Sequence, residues 1–318
     1  MIRKVSKVGQ SSLVVSLPFE WVRHYKIKKG DDINLTPKGK SLIISTSNES
    51  DGDDITINLD NKNTGLLWRY FMGAYARGFK TIKVVFSQEN IVVTDKIFRK
   101  RGYKTINPME LVNESVKTMI GMEIVEQRAG TCTIKQLANI SEDEFNATLR
   151  RMFLIVKGML EDILKTPEDK MILLTNNLLL VDETINKFTL FCNRIIAKKD
   201  LSNTTNVELY YSIVNGIERI GDEVKDIPKL LLKNDQRCTA IVQSLTDLFT
   251  DFYKNFYEYD DKLADKVLQK SIDIKRSSDK LVESSSEDWL SLFAGKIRNI
   301  TGLIRYHTEE MIQLHLSK

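Results

Sequence analysis

Alternating and periodic apolar positions divide the chain of 318 residues into a β-rich start, a mixed middle and a long helical remainder. In the first part, short apolar runs bounded by turn residues predict strands, and Pro18 before an aromatic-rich segment predicts a short helix. The predicted elements are four strands near residues 2–8, 12–17, 33–35 and 42–44, and a helix over 19–25. So few residues make a small core, and we expect residues 1–47 to need a partner for full burial.

The middle part, residues 54–138, follows a polar and acidic stretch at 45–54 that is typical of a linker. Asn107 followed by Pro108 is a common helix start. Alternation and helical periodicity predict strands at 55–59, 81–86, 123–126 and 132–134 and helices at 64–77 and 108–119. We therefore expect a small connecting α+β domain, for which the sequence indicates no role.

From residue 141 to residue 318 the pattern is helical throughout. Ser-Glu-Asp-Glu at 141–144 is a capping box. Helix breaks near 166–167, 200–203, 234–235 and 259–261 leave about six helices in two sets of three with a similar rhythm. This predicts tandem three-helix bundles over about 141–233 and 236–318, and the predicted fold class is α+β and multidomain.

Charge is unevenly distributed, although the formal net charge is only +4. Residues 1–50 hold nine Lys or Arg and four Asp or Glu, whereas residues 136–318 hold 25 and 29. The basic segment at 1–50 can bind a polyanion, and the acidic segment at 136–318 offers carboxylates as ligands. No stretch has the apolar length of a membrane span, and the basic N-terminus has no apolar signal core after it. We therefore expect a cytoplasmic protein without membrane insertion.

Cysteines and histidines give little support to a thiolate metal site or to catalysis. Cys132, Cys192 and Cys238 are far apart and odd in number, which favours buried, inert thiols over disulfides or zinc. The sequence lacks the GxGxxG, GxxxxGK(S/T), GxSxG and HExxH patterns, and its three histidines do not suggest a nucleophile with its base. We expect a protein that is not an enzyme.

Residues 9–35 resemble the AbrB/SpoVT-like swapped-hairpin domain. A strand, Leu17-Pro18, a short helix and the turn Lys-Lys-Gly-Asp at 28–31 follow in that family's order and spacing. The resemblance implies a β-barrel-like dimer over residues 1–47 that exchanges hairpins and binds DNA. Basic and small polar side chains would contact phosphates, and such contacts give affinity but little specificity for the DNA sequence. These side chains are Arg3, Lys4, Lys7, Ser11, Ser12, Arg23, Lys26, Lys28 and Lys29. The alternative is that the lysines only keep the module soluble.

The helical part is similar to the PhoU family of phosphate-uptake regulators. Its best match is Ile-Glu-Arg-Ile-Gly-Asp-Glu at 217–223, which resembles that family's Glu-Arg-Ile-Gly-Asp motif, and a weaker match lies at 181–186. Residues 121–126 and 149–152 also resemble archaeal proteins in which an AbrB/SpoVT-like domain is fused to a PhoU-like one. The resemblance implies two three-helix bundles, a role in phosphate homeostasis, and iron or zinc clusters on rows of carboxylates.

A row of carboxylates is the candidate metal site. Glu218 and Asp222 are four residues apart and so share one helix face, and Asp226 extends the row by another turn. Asp182 is the natural contributor from the preceding helix. Like charges at this spacing repel, and a hard cation such as magnesium, or the family's iron or zinc, would offset the repulsion.

Two features oppose the metal interpretation. Asn186 stands where the family has an aspartate, and an amide oxygen binds hard metals less firmly. The row can also be a solvated face, paired with Arg219, Lys225 and their neighbours.

The second repeat departs further from the family pattern. Thr301 and Arg305 stand roughly where a glutamate and an aspartate are expected, and Asp279 is the one plausible remnant on the preceding helix. We expect that this bundle has lost its metal site. His307 with Glu310 could bind a transition metal, but a single histidine on an amphipathic helix is more often structural.

Together these patterns predict a regulator of phosphate uptake that binds DNA as a dimer, with the helical domain sensing a metal or a protein partner. A first alternative is an adaptor that binds a phosphate transporter ATPase or a sensor kinase without binding DNA. A second is a metal-storage or metal-dependent hydrolytic bundle. A basic run with a tyrosine at 99–104 could add to nucleic-acid binding, although a solvated loop explains it as well.

Overall fold

The structure, a computed structural model, describes residues 2–9, 12–38, 41–46, 54–95, 98–99, 102–138, 142–198, 206–231, 235–284 and 287–316. Contacts between residues divide the chain into two units. The first ends at Asp54, and the second runs from Ile55 to Lys318.

The first unit contains two antiparallel strand pairs and one short helix. The strands are β1 (Ser6–Val8), β2 (Ser12–Val14), β3 (Ile33–Lys38) and β4 (Ser41–Thr46), and the helix is α1 (Phe19–His24). β1 pairs with β2, and β3 pairs with β4, so the predicted strands and helix are confirmed with shifted ends. The barrel-like exchange of hairpins stays a prediction, because it needs a second chain.

The turns of this unit follow from local backbone chemistry. Lys26, at the end of α1, adopts a left-handed φ of 52°, and the Ile27 amide donates back to the Val22 carbonyl at 2.9 Å. This pattern caps the last carbonyls of a helix. Gly30 has a φ of 98°, which favours glycine, and the Lys28 amide donates to Asp31 Oδ2 at 2.7 Å. The predicted turn at 28–31 is therefore confirmed.

Thr36, Lys38 and Ile43 aside, none of the residues that the structure describes before Asp54 is buried. Large apolar side chains such as Ile2, Leu13 and Phe19 are largely exposed to solvent. A single copy of this unit therefore does not bury a core of its own among these residues, as its length led us to expect.

The α+β region comprises residues 54–138. Its strands are β5 (Asp54–Asn58), β6 (Thr81–Val85), β7 (Ile91–Val92), β8 (Thr105–Ile106), β9 (Met122–Arg128) and β10 (Thr131–Gln136), and its helices are α2 (Thr64–Ala76) and α3 (Pro108–Lys117). Four strands form one sheet in the order β5-β6-β10-β9, with β10 antiparallel to both neighbours. All predicted elements are present, whereas the short pair β7 and β8 was not predicted. Residues 47–53 of the predicted linker lie outside the described part.

Side chains at helix starts explain where α2 and α3 begin. Asn63 accepts a hydrogen bond from the Leu66 amide at 3.0 Å, and Asn107 accepts one from the Met109 amide at 2.8 Å. Leu67 and Phe71 on one face of α2 pack with Ile82 and Ile134 of the sheet in a separate hydrophobic core.

Six long helices follow, and the prediction of about six is confirmed for the described residues. They are α4 (Glu142–Lys165), α5 (Met171–Ala197), α6 (Val207–Val224), α8 (Gln236–Tyr257), α9 (Asp261–Glu283) and α10 (Asp288–Leu316). A four-residue helix, α7 (Ile227–Leu230), lies between the sets. We refer to α4–α6 as the first bundle and to α8–α10 as the second bundle. Ser141 of the predicted capping box lies outside the described residues.

Both bundles share one continuous hydrophobic core. Phe153 of α4 contacts several aromatic rings of α8, among them Phe249 and Phe252 with centroids 6.1 and 5.7 Å away. Asp235 and Asp260 cap α8 and α9 by accepting amide hydrogen bonds at 2.8 Å. No helix within the described ranges is long and apolar enough to cross a membrane.

α5 also connects the first bundle to the α+β region through a buried arginine near its end. Arg194 donates to the carbonyls of Tyr75 and Phe79 at 2.6 and 2.9 Å and to Gln136 Oε1 at 2.7 Å. Its guanidinium also lies over the Tyr75 ring, 4.8 Å from the centroid. The two regions therefore have separate cores but belong to one compact unit.

Candidate functional site

The regular geometry of an α-helix places the motif residues Glu218 and Asp222 one turn apart on α6. Between them, Gly221 is buried against α5, where a Cβ would come within 2.9 Å of Ile185 Cδ1. A glycine at this point lets the two helices approach closely. Asp182, one turn before Ile185 on α5, is thereby brought beside Asp222.

Lys225 joins the two aspartates. Its Nζ donates to Asp182 Oδ2 at 2.7 Å and also donates to Asp222 Oδ1. The Lys225 and Asp182 side chains are 18% and 9% exposed, whereas that of Asp222 is 45% exposed. We call Asp182, Glu218, Asp222 and Lys225 the Lys225 cluster. It contains three of the four predicted metal ligands and a cation from the protein itself.

The cluster carries more negative than positive charge, and the acid pKa values respond to this. Burial, with the charges of Asp222 and Asp182, raises the pKa of Glu218 to about 7. Burial also raises the pKa of Asp182. Burial opposes the charge of Lys225, but the hydrogen bonds that Lys225 donates to both aspartates outweigh it and raise the Lys225 pKa. Lys225 therefore stays protonated, while Glu218 titrates near neutral pH.

Asp226, the remaining predicted ligand, belongs to a different set of contacts. Its Oδ1 lies 2.8 Å from Lys229 Nζ, and its Oδ2 lies 3.1 Å from Lys296 Nζ on α10. Lys296 also contacts Glu223 Oε2 at 2.8 Å. Burial raises the pKa of Asp226, but hydrogen bonds from the two lysines outweigh it and lower the pKa. The predicted row is thus divided, because Asp222 contacts Lys225 whereas Asp226 contacts Lys229 and Lys296.

As they stand, these residues do not fit a metal ion well. Within the described ranges, no group of three or more His, Cys, Asp or Glu side chains is placed to hold one. Asn186 lies beside Asp182, its Nδ2 3.4 Å from Oδ2, and offers no charge. The metal site stays a prediction from the sequence.

The second bundle holds a buried aspartate that the sequence analysis missed. Asp251 on α8 contacts Lys270 Nζ at 2.6 Å and Lys266 Nζ at 3.1 Å, both from α9. We call these three residues the Asp251 cluster. No family motif marks Asp251, and only the spacing of the two lysines, one turn apart on α9, could have indicated a shared partner. Asp279, the expected remnant, pairs loosely with Arg298 at 3.6 Å.

His307 and Glu310 form a buried pair on α10, with Nδ1 2.7 Å from Oε2. Burial lowers the His307 pKa, although Glu310 opposes the shift. A Cβ on Gly216 of α6 would come within 1.8 Å of His307 Nε2, so the ring lies directly against the α6 backbone. The pair thus fills the contact between the two bundles, which agrees with a structural role.

Candidate DNA contacts in the first unit are exposed wherever the structure describes them. This holds for Arg3, Lys4, Lys7, Ser12, Arg23, Lys26, Lys28 and Lys29. Ser11 lies outside the described residues, as do Lys100 and Arg101 of the basic run at 99–104. DNA binding stays a prediction.

The three cysteines are free and buried, as predicted. Burial raises the thiol pKa of Cys132 and Cys192, and it raises that of Cys238 to about 12. Such thiols are poor nucleophiles and poor metal ligands at neutral pH.

No family model matches the chain, and no curated protein matches it. Among solved structures, the chain is similar to the phosphate transport system regulatory protein PhoU from Streptococcus pneumoniae, with a TM-score of 0.46 and 14% identity. The similarity covers 55% of this chain and 95% of that one. A TM-score and an identity this low do not establish a shared fold or function.

Proposed function

We propose that this chain is a regulator of phosphate uptake that binds DNA as a dimer through residues 1–47. In this proposal, the helical bundles receive the signal by binding a protein partner. The observation that carries DNA binding is the first unit itself, in which basic side chains and apolar side chains are exposed together. A second copy would cover the apolar side chains and double the positive charge available to phosphates.

The link to phosphate rests on the resemblance of residues 217–223 to the PhoU family motif. In the folded chain, this motif lies on α6, the helix that contacts α5 within the first bundle and α10 of the second. A partner that altered the packing of α6 would therefore affect both bundles. This position suits a segment that transmits a regulatory state.

An electrophoretic shift assay tests DNA binding. We expect full-length protein to shift upstream DNA of phosphate-transport genes at low salt, where the electrostatic contribution is greatest. Neutralising Lys26, Lys28 and Lys29 to glutamine should remove most of the shift. A matched control neutralises three exposed lysines of α9, Lys262, Lys275 and Lys280, and should keep it. Absence of a shift by the unchanged protein at low salt would contradict the proposal.

Dimerisation has its own test. Light scattering behind size-exclusion chromatography should give twice the chain mass for the full-length protein. Leu13→Asp, at a largely exposed apolar position of the first unit, should give the mass of one chain and weaken the DNA shift. A monomer that still shifts DNA would contradict the dimeric form of the proposal.

A second candidate is an adaptor that binds a transporter ATPase or a sensor kinase without binding DNA. The observation that favours it is a set of exposed apolar side chains on α5, namely Ile172, Leu173 and Leu180. Co-purification of the ATPase with the chain, lost in Leu173→Asp/Leu180→Asp but kept in Leu292→Asp on α10, would support it. Loss of binding in the double variant and in Leu292→Asp alike would point to misfolding and reject a specific surface.

A further inference from the structure

Lys225 lies where a bound cation would be expected in the Lys225 cluster. Asp182 reaches its Nζ from the middle of α5, and Asp222 reaches the same atom from the last turn of α6. A lysine ammonium normally extends into solvent on its flexible stem, because removing it from water is costly. Here it is largely buried and its two bonds run to carboxylates of two different helices. The ammonium therefore offsets the repulsion between acids that motivated the metal prediction.

The neighbouring acids are similarly committed to lysines. Asp226 binds Lys229 and Lys296, and Glu223 binds Lys296 as well. The carboxylates that could enlarge the cluster toward a full metal coordination shell are thus directed away from it. A hard divalent cation needs several oxygen ligands, and the described residues do not gather three acids at one point.

We propose that the Lys225 ammonium takes the place of a metal ion in the Lys225 cluster, so that the first bundle is assembled around an internal cation. Lysine and metal then compete for one position between Asp182 and Asp222. Removing the lysine should free both carboxylates for a divalent ion that accepts one or two carboxylates and completes its shell with water. This inference does not depend on the proposed regulatory function.

The second bundle gives independent support, because it uses the same chemistry at a site with no family motif. Asp251 is held by Lys266 and Lys270 from the adjacent helix. Burial opposes the charge of Asp251, but hydrogen bonds from both lysines outweigh it and lower its pKa. In both bundles, then, a buried aspartate of one helix is neutralised by lysine from the next helix.

The test measures metal response in full-length protein purified in the presence of a chelator. Thermal unfolding is recorded with EDTA, with MgCl2 and with MnCl2 for the unchanged chain, for Lys225→Met and for Lys229→Met. The unchanged chain should keep one midpoint in all three conditions. Lys225→Met should unfold at a lower temperature in EDTA and recover part of the loss with Mn²⁺ or Mg²⁺. Lys229→Met removes an exposed lysine one turn further on and should show neither effect.

Several outcomes would overturn the inference. One is unchanged protein whose midpoint falls with EDTA or rises with Mn²⁺, since that protein would hold a metal beside its lysine. Another is a folded Lys225→Met variant whose unfolding midpoint changes with neither metal, since lysine and metal would then not share a position. If Lys225→Met does not fold, the triple variant Asp182→Asn/Asp222→Asn/Lys225→Met replaces it. That variant lacks the opposing charges and should fold, and its failure to fold would show that Lys225 acts by packing instead.

Discussion

In the first bundle, two carboxylates share one ammonium, whereas in the second bundle two ammoniums reach one carboxylate. The difference lies in redundancy as well as in sign. Lys225 contacts two aspartates, so its removal takes the same lysine away from both carboxylates. Asp251 keeps one lysine when the other is removed. The first cluster should therefore depend on a single side chain, and the second should not.

The lysines of the two clusters also differ in their exposure to solvent. Lys225 is 18% exposed, whereas Lys270 and Lys266 are 34% and 53% exposed. Ion pairs that water reaches contribute about 0–1 kcal/mol, whereas removing one partner of a buried pair costs about 3–5 kcal/mol. The Lys225 cluster lies nearer the second case and the Asp251 cluster nearer the first. Similar chemistry in the two bundles is thus expected to have different energetic weight.

The largest effect on stability is expected where the two bundles touch, at the contact between Gly216 of α6 and His307 of α10. Gly216→Ala places a methyl group on the buried His307 ring, which Glu310 holds in place. We expect a loss of about 3 kcal/mol in the free energy of unfolding, at the upper end of overpacking effects. Urea denaturation followed by circular dichroism measures it.

The control for this prediction is another helical glycine. Gly302 on α10 has no atom within 4 Å of the position of a Cβ, so Gly302→Ala should instead stabilise the chain by about 0.5–1 kcal/mol. Equal effects at the two positions would show that helix propensity, and not the contact with His307, decides the outcome.

The second prediction compares one lysine from each cluster. Lys225→Met should destabilise the chain by about 2–3 kcal/mol, since two aspartates lose their shared partner in a poorly solvated place. Lys270→Met should cost about 1 kcal/mol, because Lys266 remains on Asp251. The urea midpoints of both variants measure this difference. Equal losses would contradict the proposed redundancy of the second cluster.

The sequence predicted the elements well because local patterns determine them. Six long helices follow from apolar periodicity, and Asp235 and Asp260 mark helix starts by capping the amides that have no partner within the helix. The strands β7 and β8 were missed because two residues each are too few to show alternation.

The candidate site could be predicted only in part, because its pairings connect distant residues. Asp182 and Lys225 are 43 positions apart, and they meet through the close packing that Gly221 allows between α5 and α6. The sequence therefore offered Lys225 as a partner for the acids of α6, and its contact with Asp222 is confirmed, but the contact that it shares with Asp182 on α5 was not predicted. Arg194 was missed for the same reason, since its three carbonyl acceptors lie in a different region of the chain.

The third prediction uses pH, to which the two clusters should respond with opposite sign. The Glu218 pKa is raised from 4.5 to about 7, so folded protein binds this proton more tightly than unfolded protein. Its contribution to stability is full below about pH 4.5 and is lost as the pH rises to about 7. Relative to Glu218→Gln, unchanged protein should lose about 1 kcal/mol in the free energy of unfolding between pH 5 and pH 8. This value is reduced because Glu218 is partly exposed to solvent.

Asp251 should behave in the opposite way, since its pKa is lowered from 3.8 by its lysines. Its contribution is present above about pH 4 and is lost as the pH falls further. Unchanged protein should therefore lose its advantage over Asp251→Asn only on acidification. Urea midpoints at several pH values measure both differences. A first cluster that gains stability as the pH rises would contradict the charge balance described for it.

The smallest effect is expected at the most exposed member of either cluster. Lys266 is 53% exposed and lies 3.1 Å from Asp251, which Lys270 contacts more closely at 2.6 Å. Lys266→Met should therefore change the free energy of unfolding by less than about 0.5 kcal/mol, and added salt should remove what remains. The Lys266→Met/Lys270→Met double variant should lose more than the two single variants together, because only then is the buried carboxylate without a lysine. Strict additivity of the urea midpoints would mean that the two lysines do not substitute for each other, and the contrast between the bundles would then rest on exposure alone.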